Sequence, residues 1–138
     1  MGLAKKMNLY DSAHMDILAK SLAGQFIAFD GPDGSGKSTQ IHRFVERFRE
    51  AGLLVKEVRE PGGTSIGEQV RTILLDPINE GMTLPCEMLL YMASRAQLVA
   101  QEIKPALERG ELVVADRFVS ATLAYQGAAG GIPVAWIQ

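Results

Sequence analysis

Residues Gly31, Pro32, Asp33, Gly34, Ser35, Gly36, Lys37 and Ser38 follow one pattern: a glycine, four residues, a glycine, a lysine and a hydroxyl residue. Each part has a chemical use. The glycines let the backbone curl until successive N–H groups point at one anion. The lysine reaches the outer oxygens of a phosphate chain, and the serine hydroxyl is a ligand for magnesium. Thr39 continues the same phosphate-binding surface into the next turn. A second candidate for magnesium, directly or through water, is Asp116, which ends the apolar run Leu112, Val113, Val114 and Ala115. The chemistry these residue types imply is the holding of nucleotide phosphates.

Such a loop works only where a strand delivers it and a helix leaves it, because the helix N-terminus adds partial positive charge toward the anion. Both neighbours are legible. Phe26, Ile27, Ala28 and Phe29 form an apolar run of buried-strand length. Beyond the loop, Ile41, Phe44, Val45 and Phe48 recur at helical spacing, and Gly52 supplies a stop. Residues 53–58 read as a second strand, and 59–64, with Pro61, Gly62 and Gly63, as a loop. A helix is expected over 66–75 with Ile66, Val70, Ile73 and Leu74 facing inward. A longer one runs from Pro85 toward Ile103, is kinked or restarted by Pro105, and ends at Gly110. Residues 112–115 make a third buried strand. This order of strands and helices predicts an α/β fold, a parallel sheet flanked by helices in three layers.

Residues 1–24 read as an N-terminal extension. Asp11 or Ser12 caps a short surface helix with Met15, Leu18 and Leu22 on one face, and Gly24 ends it. Residues 25–138 form the phosphate-binding domain.

Composition excludes several functions. Net charge is −2, and the lysines and arginines are dispersed. A nucleic-acid polymer binds through a basic stripe that releases counterions, so none is expected as a partner. No apolar run approaches the roughly 20 residues of a membrane-spanning helix, and no membrane partner is expected. Cys86 is the only cysteine, which precludes an internal disulfide and fits a reducing, cytoplasmic compartment; it reads as structural. His14 and His42 read as surface residues.

Four blocks, in order, resemble the thymidylate kinase family of P-loop kinases. They are Asp30 to Gln40, then Arg59-Glu60-Pro61-Gly62-Gly63-Thr64, then Glu87 to Gln97, and last Asp116-Arg117-Phe118-Val119 with Ala124-Tyr125-Gln126-Gly127. The resemblance implies a P-loop NTPase fold and phosphorylation of dTMP by ATP with Mg2+, giving dTDP. It further implies that Tyr91 stacks on thymine and that Arg95 donates to a base carbonyl. Arg117 would clamp the acceptor phosphate, with Arg71, Glu60 and Pro61 bordering the same pocket. Thr122 and Gln126 would lie beside the base, Tyr125 against the deoxyribose, and Asp33 at the sugar 3′-hydroxyl. Lys37, Arg117 and Asp33 are then the catalytic set. Helix-built dimers in the family make a homodimer an expectation.

The sequence departs from the family pattern in two places. Gly34 stands where some members carry a catalytic arginine, and the mobile lid that supplies an arginine in the others would follow residue 138. The expectation is therefore an N-terminal portion with three readable core strands, the strand at Phe26 lacking a neighbour on one side. Two other readings stay open: a P-loop kinase for a different nucleoside monophosphate, and a non-catalytic nucleotide-binding portion that needs a complementary chain.

Overall fold

A computed structural model describes residues 12–133, 135 and 137. The central element is β3 (Leu112–Asp116), whose Leu112, Val113, Val114 and Ala115 are all buried. It pairs in parallel with β1 (Phe26–Phe29) on one side and with β2 (Val55–Arg59) on the other, so the sheet order is β1-β3-β2. Successive side chains on a strand point to opposite faces, and β3 uses both. Leu112 and Val114 meet Ile41, Val45 and Phe48 of α2 (Lys37–Glu50) and Met15 and Ala19 of α1 (Ser12–Leu22). Val113 and Ala115 meet Leu98, Ile103 and Ala106 on the other face. Three layers result, with β3 covered on both sides.

The second face is built by α4 (Leu84–Leu98), which runs through a π-helical segment (Val99–Ile103) into α5 (Lys104–Glu108). Pro105 restarts the helix without breaking the run. α3 (Ser65–Leu75) packs along α4. Its N-terminus is capped by Thr64, whose hydroxyl accepts from the Gly67 N–H at 2.9 Å. α6 (Val119–Thr122) continues into a second π-helical segment (Leu123–Ala129). A smaller core of Met88, Ile132 and Ile137 sits beneath it.

Several expectations need correction. β2 begins at Val55 because Leu53 belongs to the turn that ends α2: Gly52 takes φ 81°, and the Leu53 N–H bonds the Phe48 carbonyl at 3.0 Å. Ile66 and Ile73 face solvent, 52% and 44% exposed, while Val70 is buried and Leu74 half-buried. α1 is a surface helix with one face in the core: Met15 and Ala19 join it and Leu22 packs against it, while Leu18 points out and Ala19 takes its place on the buried face. Asp11, one of the two expected caps, lies outside the described residues. Among the described residues β1 lies at the sheet edge with Ala28 exposed, so the buried-strand reading holds for β3 and not for β1. Cys86 is exposed and free, which removes a structural role in packing.

Leu98 is fully buried between β3 and the α4 layer. Leu98→Ala should lower unfolding free energy by about 3 kcal/mol, read as a reduced midpoint in urea titration.

Candidate active site

The carboxyl ends of the three strands meet at one edge of the sheet, where open parallel sheets place their ligand sites. The Arg117 N–H bonds the Phe29 carbonyl at 3.0 Å and the Glu60 N–H bonds the Asp116 carbonyl at 3.2 Å, so the three exits stay in register past the strands. From β1 the chain enters the phosphate loop. The Ser35 N–H turns back to the Pro32 carbonyl at 3.3 Å. Gly36 takes the left-handed conformation, φ 80° and ψ 9°, immediately before α2, a geometry that side-chain-bearing residues rarely adopt. Lys37 is therefore the first residue of α2, with Ser38 and Thr39 in its first turn.

Lys37 is 12% exposed, and its Nζ lies 2.8 Å from Asp116 Oδ1. The lysine approaches off the line of a hydrogen bond, so this buried oxygen has an ion-pair partner but no hydrogen-bond donor among the described residues. Ser38 and Asp116 line one cavity of about 410 Å³ between α2 and β2. An oxygen donor set with an unsatisfied carboxylate oxygen fits magnesium. Among the described residues no cluster of three or more His, Cys, Asp or Glu could hold a metal. Magnesium characteristically takes one or two protein oxygens and completes its shell with water and substrate phosphates.

A second cavity, also about 410 Å³, opens on the other side of β3, within the usual size of small-ligand pockets. Every residue expected at the acceptor site lines it. Glu60 and Pro61 come from the loop after β2, Arg71 from α3, Tyr91 and Arg95 from α4, and Arg117, Thr122, Tyr125 and Gln126 from the segment after β3; Asp33 reaches it from the phosphate loop. Arg95 and Tyr91 do share a face of α4. Arg95 is no solvated surface charge. It is 11% exposed, with Nε 2.9 Å from both oxygens of Glu60, Nη2 2.6 Å from Glu60 Oε2, and Nη2 donating to Thr122 Oγ1 at 2.8 Å. The Phe118 ring lies 5.2 Å from its guanidinium carbon.

At the other end, Arg117 Nη2 donates to Asp33, whose side chain is otherwise almost fully exposed. Arg117 Nη1 lies 3.5 Å from the Tyr125 hydroxyl, and its guanidinium carbon lies 5.7 Å from the Tyr125 ring centre. Arg117 has φ 70°, the one described non-glycine residue with positive φ, and this local strain turns the chain out of β3 into the site. Burial, and next the Glu87 carboxylate, push the Tyr91 phenol above its ordinary value of 10.0, so the ring is neutral at working pH.

Several contributors escaped the sequence. Ser94, fully buried on α4, accepts the Gly62 N–H at 3.1 Å. Glu68 on α3 accepts the Gly63 N–H at 2.7 Å and both its oxygens lie 3.1 Å from Arg59 Nη2. Together they pin the loop that presents Glu60, while Arg71 holds the Pro61 carbonyl at 3.0 Å. Ser120 donates to Asp30, tying the segment after β3 to the start of the phosphate loop. Glu87 lines the acceptor cavity. Its i, i+4, i+8 register with Tyr91 and Arg95 was the available signal, since those positions share one helix face.

The sequence matches the family model of thymidylate kinase over residues 29–138. The chain belongs to the thymidylate kinase family. Among similar proteins are the thymidylate kinases of Exiguobacterium sp., 54% identical over 77% of this chain and 50% of that one, and of Symbiobacterium thermophilum, 52% identical over 81% and 52%. A solved thymidylate kinase structure from Ehrlichia chaffeensis superimposes with a TM-score of 0.74 at 40% identity, covering 81% of this chain and 63% of that one. The chain thus spans about half the length of the curated relatives it matches. Its parallel sheet with flanking helices is the P-loop NTPase architecture expected from the sequence.

Two carboxylates at the site respond to pH with opposite sign. Burial is the largest influence on Glu60 and outweighs Arg95, so its carboxyl is raised above 4.5. Between 4.5 and that raised value the native state keeps a proton the unfolded chain has released, and stability falls as pH rises through the window. The Gly63 N–H, and next Arg59, lower Glu68 below 4.5. Its contribution is present above 4.5 and is lost as pH falls through the lowered value. Urea unfolding between about pH 3 and pH 6 should show Glu68→Gln flattening the acid limb. Glu60→Gln should flatten the decline above 4.5, because its amide has no proton to release.

Proposed function

We propose that the protein transfers the γ-phosphoryl group of ATP to dTMP, giving dTDP and ADP. The observation that carries this reading is convergence: all the residues expected around dTMP line one cavity together with Asp33 of the phosphate loop. Relatives at about half identity are named thymidylate kinases.

In this reading the backbone amides of the loop, from Gly31 to Thr39, cradle the ATP phosphates, with Pro32 contributing shape and no donor. Lys37 exchanges Asp116 for the outer phosphates. Ser38 and Asp116 would hold magnesium, which would neutralise phosphate charge when bound. Arg117 exchanges the Asp33 carboxylate for the acceptor phosphate, which a planar fork binds in the same way. Asp33 is then free to accept from the sugar 3′-hydroxyl. An acceptor phosphate oxygen attacks the γ-phosphorus, the bond to the β-phosphate oxygen breaks, and ADP leaves. No protein group is phosphorylated, so catalysis rests on positioning and charge neutralisation. Tyr91 stacks on thymine and Tyr125 packs against the deoxyribose. A cytoplasmic location fits the lone thiol of Cys86; among the described residues no helix is long and apolar enough to cross a membrane.

One observation favours a second reading, a nucleotide-binding portion that works with a complementary segment: the outer edge of β1 is unpaired among the described residues. Binding and transfer are therefore measured separately. At about 100 times its dissociation constant dTMP should stabilise the chain by about 2.7 kcal/mol, a shift of a few degrees in a thermal melt, whereas dGMP should give none. Equal shifts with both nucleotides would sink the dTMP assignment. ADP formation that survives Lys37→Ala would sink the transfer mechanism.

We further propose a homodimer that buries the apolar face of α3. Ile66 and Ile73, two turns apart, are exposed on it, with Leu75 and Ile78 beyond. Sedimentation should show Ile73→Lys converting dimer to monomer; a parent chain already monomeric at assay concentration excludes the dimer.

A further inference from the structure

Two polar rungs cross from α4 to the helical segment after β3. One is Arg95 to Thr122, with Arg95 Nη2 donating at 2.8 Å. The other is Glu87 to Gln126, with Gln126 Nε2 donating to Glu87 Oε1 at 2.7 Å. Glu87, Tyr91 and Arg95 are successive turns of α4, and Thr122 and Gln126 are successive turns opposite, so the rungs flank Tyr91. All five residues line the acceptor cavity.

The Glu87 rung fixes an atom that sequence leaves undetermined. The amide of Gln126 can donate through its nitrogen or accept through its oxygen, and either end can face a ligand. Gln126 is 4% exposed, so its side chain has no bulk water to satisfy whichever end is left over. An ionised carboxylate only accepts, so Glu87 forces Nε2 toward itself and turns Oε1 away. On the other rung, the hydrogen bonds of Arg95 among the described residues use Nε and Nη2, which leaves Nη1 to donate. The two rungs therefore leave the cavity one donor, Arg95 Nη1, and one acceptor, Gln126 Oε1.

We propose that Glu87 is a specificity-positioning residue: by locking the Gln126 amide it makes the cavity select a pyrimidine with an imide edge. An imide presents a carbonyl beside an N–H, the complement of Arg95 Nη1 and Gln126 Oε1. Cytosine presents an amino donor beside a ring-nitrogen acceptor, the reverse order, and meets a donor with a donor and an acceptor with an acceptor. This inference rests on the acceptor cavity being the dTMP site. Glu87 touches no reacting atom; it acts through Gln126.

Calorimetric titration of the chain with dTMP and dCMP separates the outcomes, with circular dichroism confirming that each variant is folded. The parent should prefer dTMP. Glu87→Gln gives residue 87 both a donor and an acceptor, so the Gln126 amide can flip, and the dTMP to dCMP affinity ratio should fall about tenfold, the scale of one charge-assisted hydrogen bond. The double variant Glu87→Gln with Gln126→Glu puts an acceptor-only carboxylate at 126 and should restore the ratio. An unchanged ratio in Glu87→Gln, equal weakening of both nucleotides, or failure of the double variant to restore the preference would overturn the role of Glu87 while leaving the dTMP site in place. A parent chain that binds neither nucleotide would overturn the reading of the cavity itself, and this inference with it.

Discussion

The acceptor site depends on how one buried cation is satisfied. The Arg95 guanidinium sits in the seam between α4 and the segments that leave β2 and β3. A charge taken out of water there is costly unless hydrogen bonds and an opposite charge replace the lost hydration. Glu60 replaces it with a two-oxygen contact, Thr122 with a hydroxyl, and Phe118 with its ring face. These partners come from two different connections, so meeting the needs of one side chain fixes both against α4. The loop carrying Glu60 must then be stiff, and its amides are held by Ser94 and Glu68. The cavity is the space left between segments that Arg95 has brought together.

The phosphate end is organised by a different rule. Lys37 with Asp116, and Arg117 with Asp33, are ion pairs between the phosphate loop with its helix and the end of β3. They differ in exposure: Asp33 is almost fully exposed, whereas Lys37 is 12% exposed and the Asp116 oxygen it meets is buried. Arg117 therefore rests on a carboxylate that a phosphate can displace at little net cost, because a strong anion replaces a weaker one in similar geometry. Glu60 and Arg95 are 4% and 11% exposed and cannot exchange in this way without stranding a buried charge.

Much of this was legible in the sequence, for identifiable reasons. The phosphate loop, α2 and β3 combine local propensity, apolar period and turn chemistry that all agree. The acceptor residues were found through resemblance, and they do converge. What escaped were relationships across the chain. Periodicity shows that Ile66 and Ile73 share a face but not whether that face meets the core. It ranked Leu18 above Ala19 by hydrophobicity, although Ala19 is the one that joins the core and Leu18 points out. Glu68, Ser94 and Glu87 matter through partners 5 to 39 positions away, which no local pattern encodes.

The division between a fixed end and an exchangeable end has a consequence for recognition. A base carries partial charges only, and the free energy available to tell one pyrimidine from another is that of one or two hydrogen bonds. Such a difference survives only where donors and acceptors are held in place before the ligand arrives, since a group free to rotate satisfies either ligand. A phosphate carries full charge and can reorganise what it meets. The rigid, buried polar contacts of this site, Arg95 with Glu60 and Thr122 and Gln126 with Glu87, lie around Tyr91. The Arg117–Asp33 pair, with its exposed carboxylate, lies toward the phosphate loop. That is the arrangement a site needs when it must discriminate at one end and transfer charge at the other.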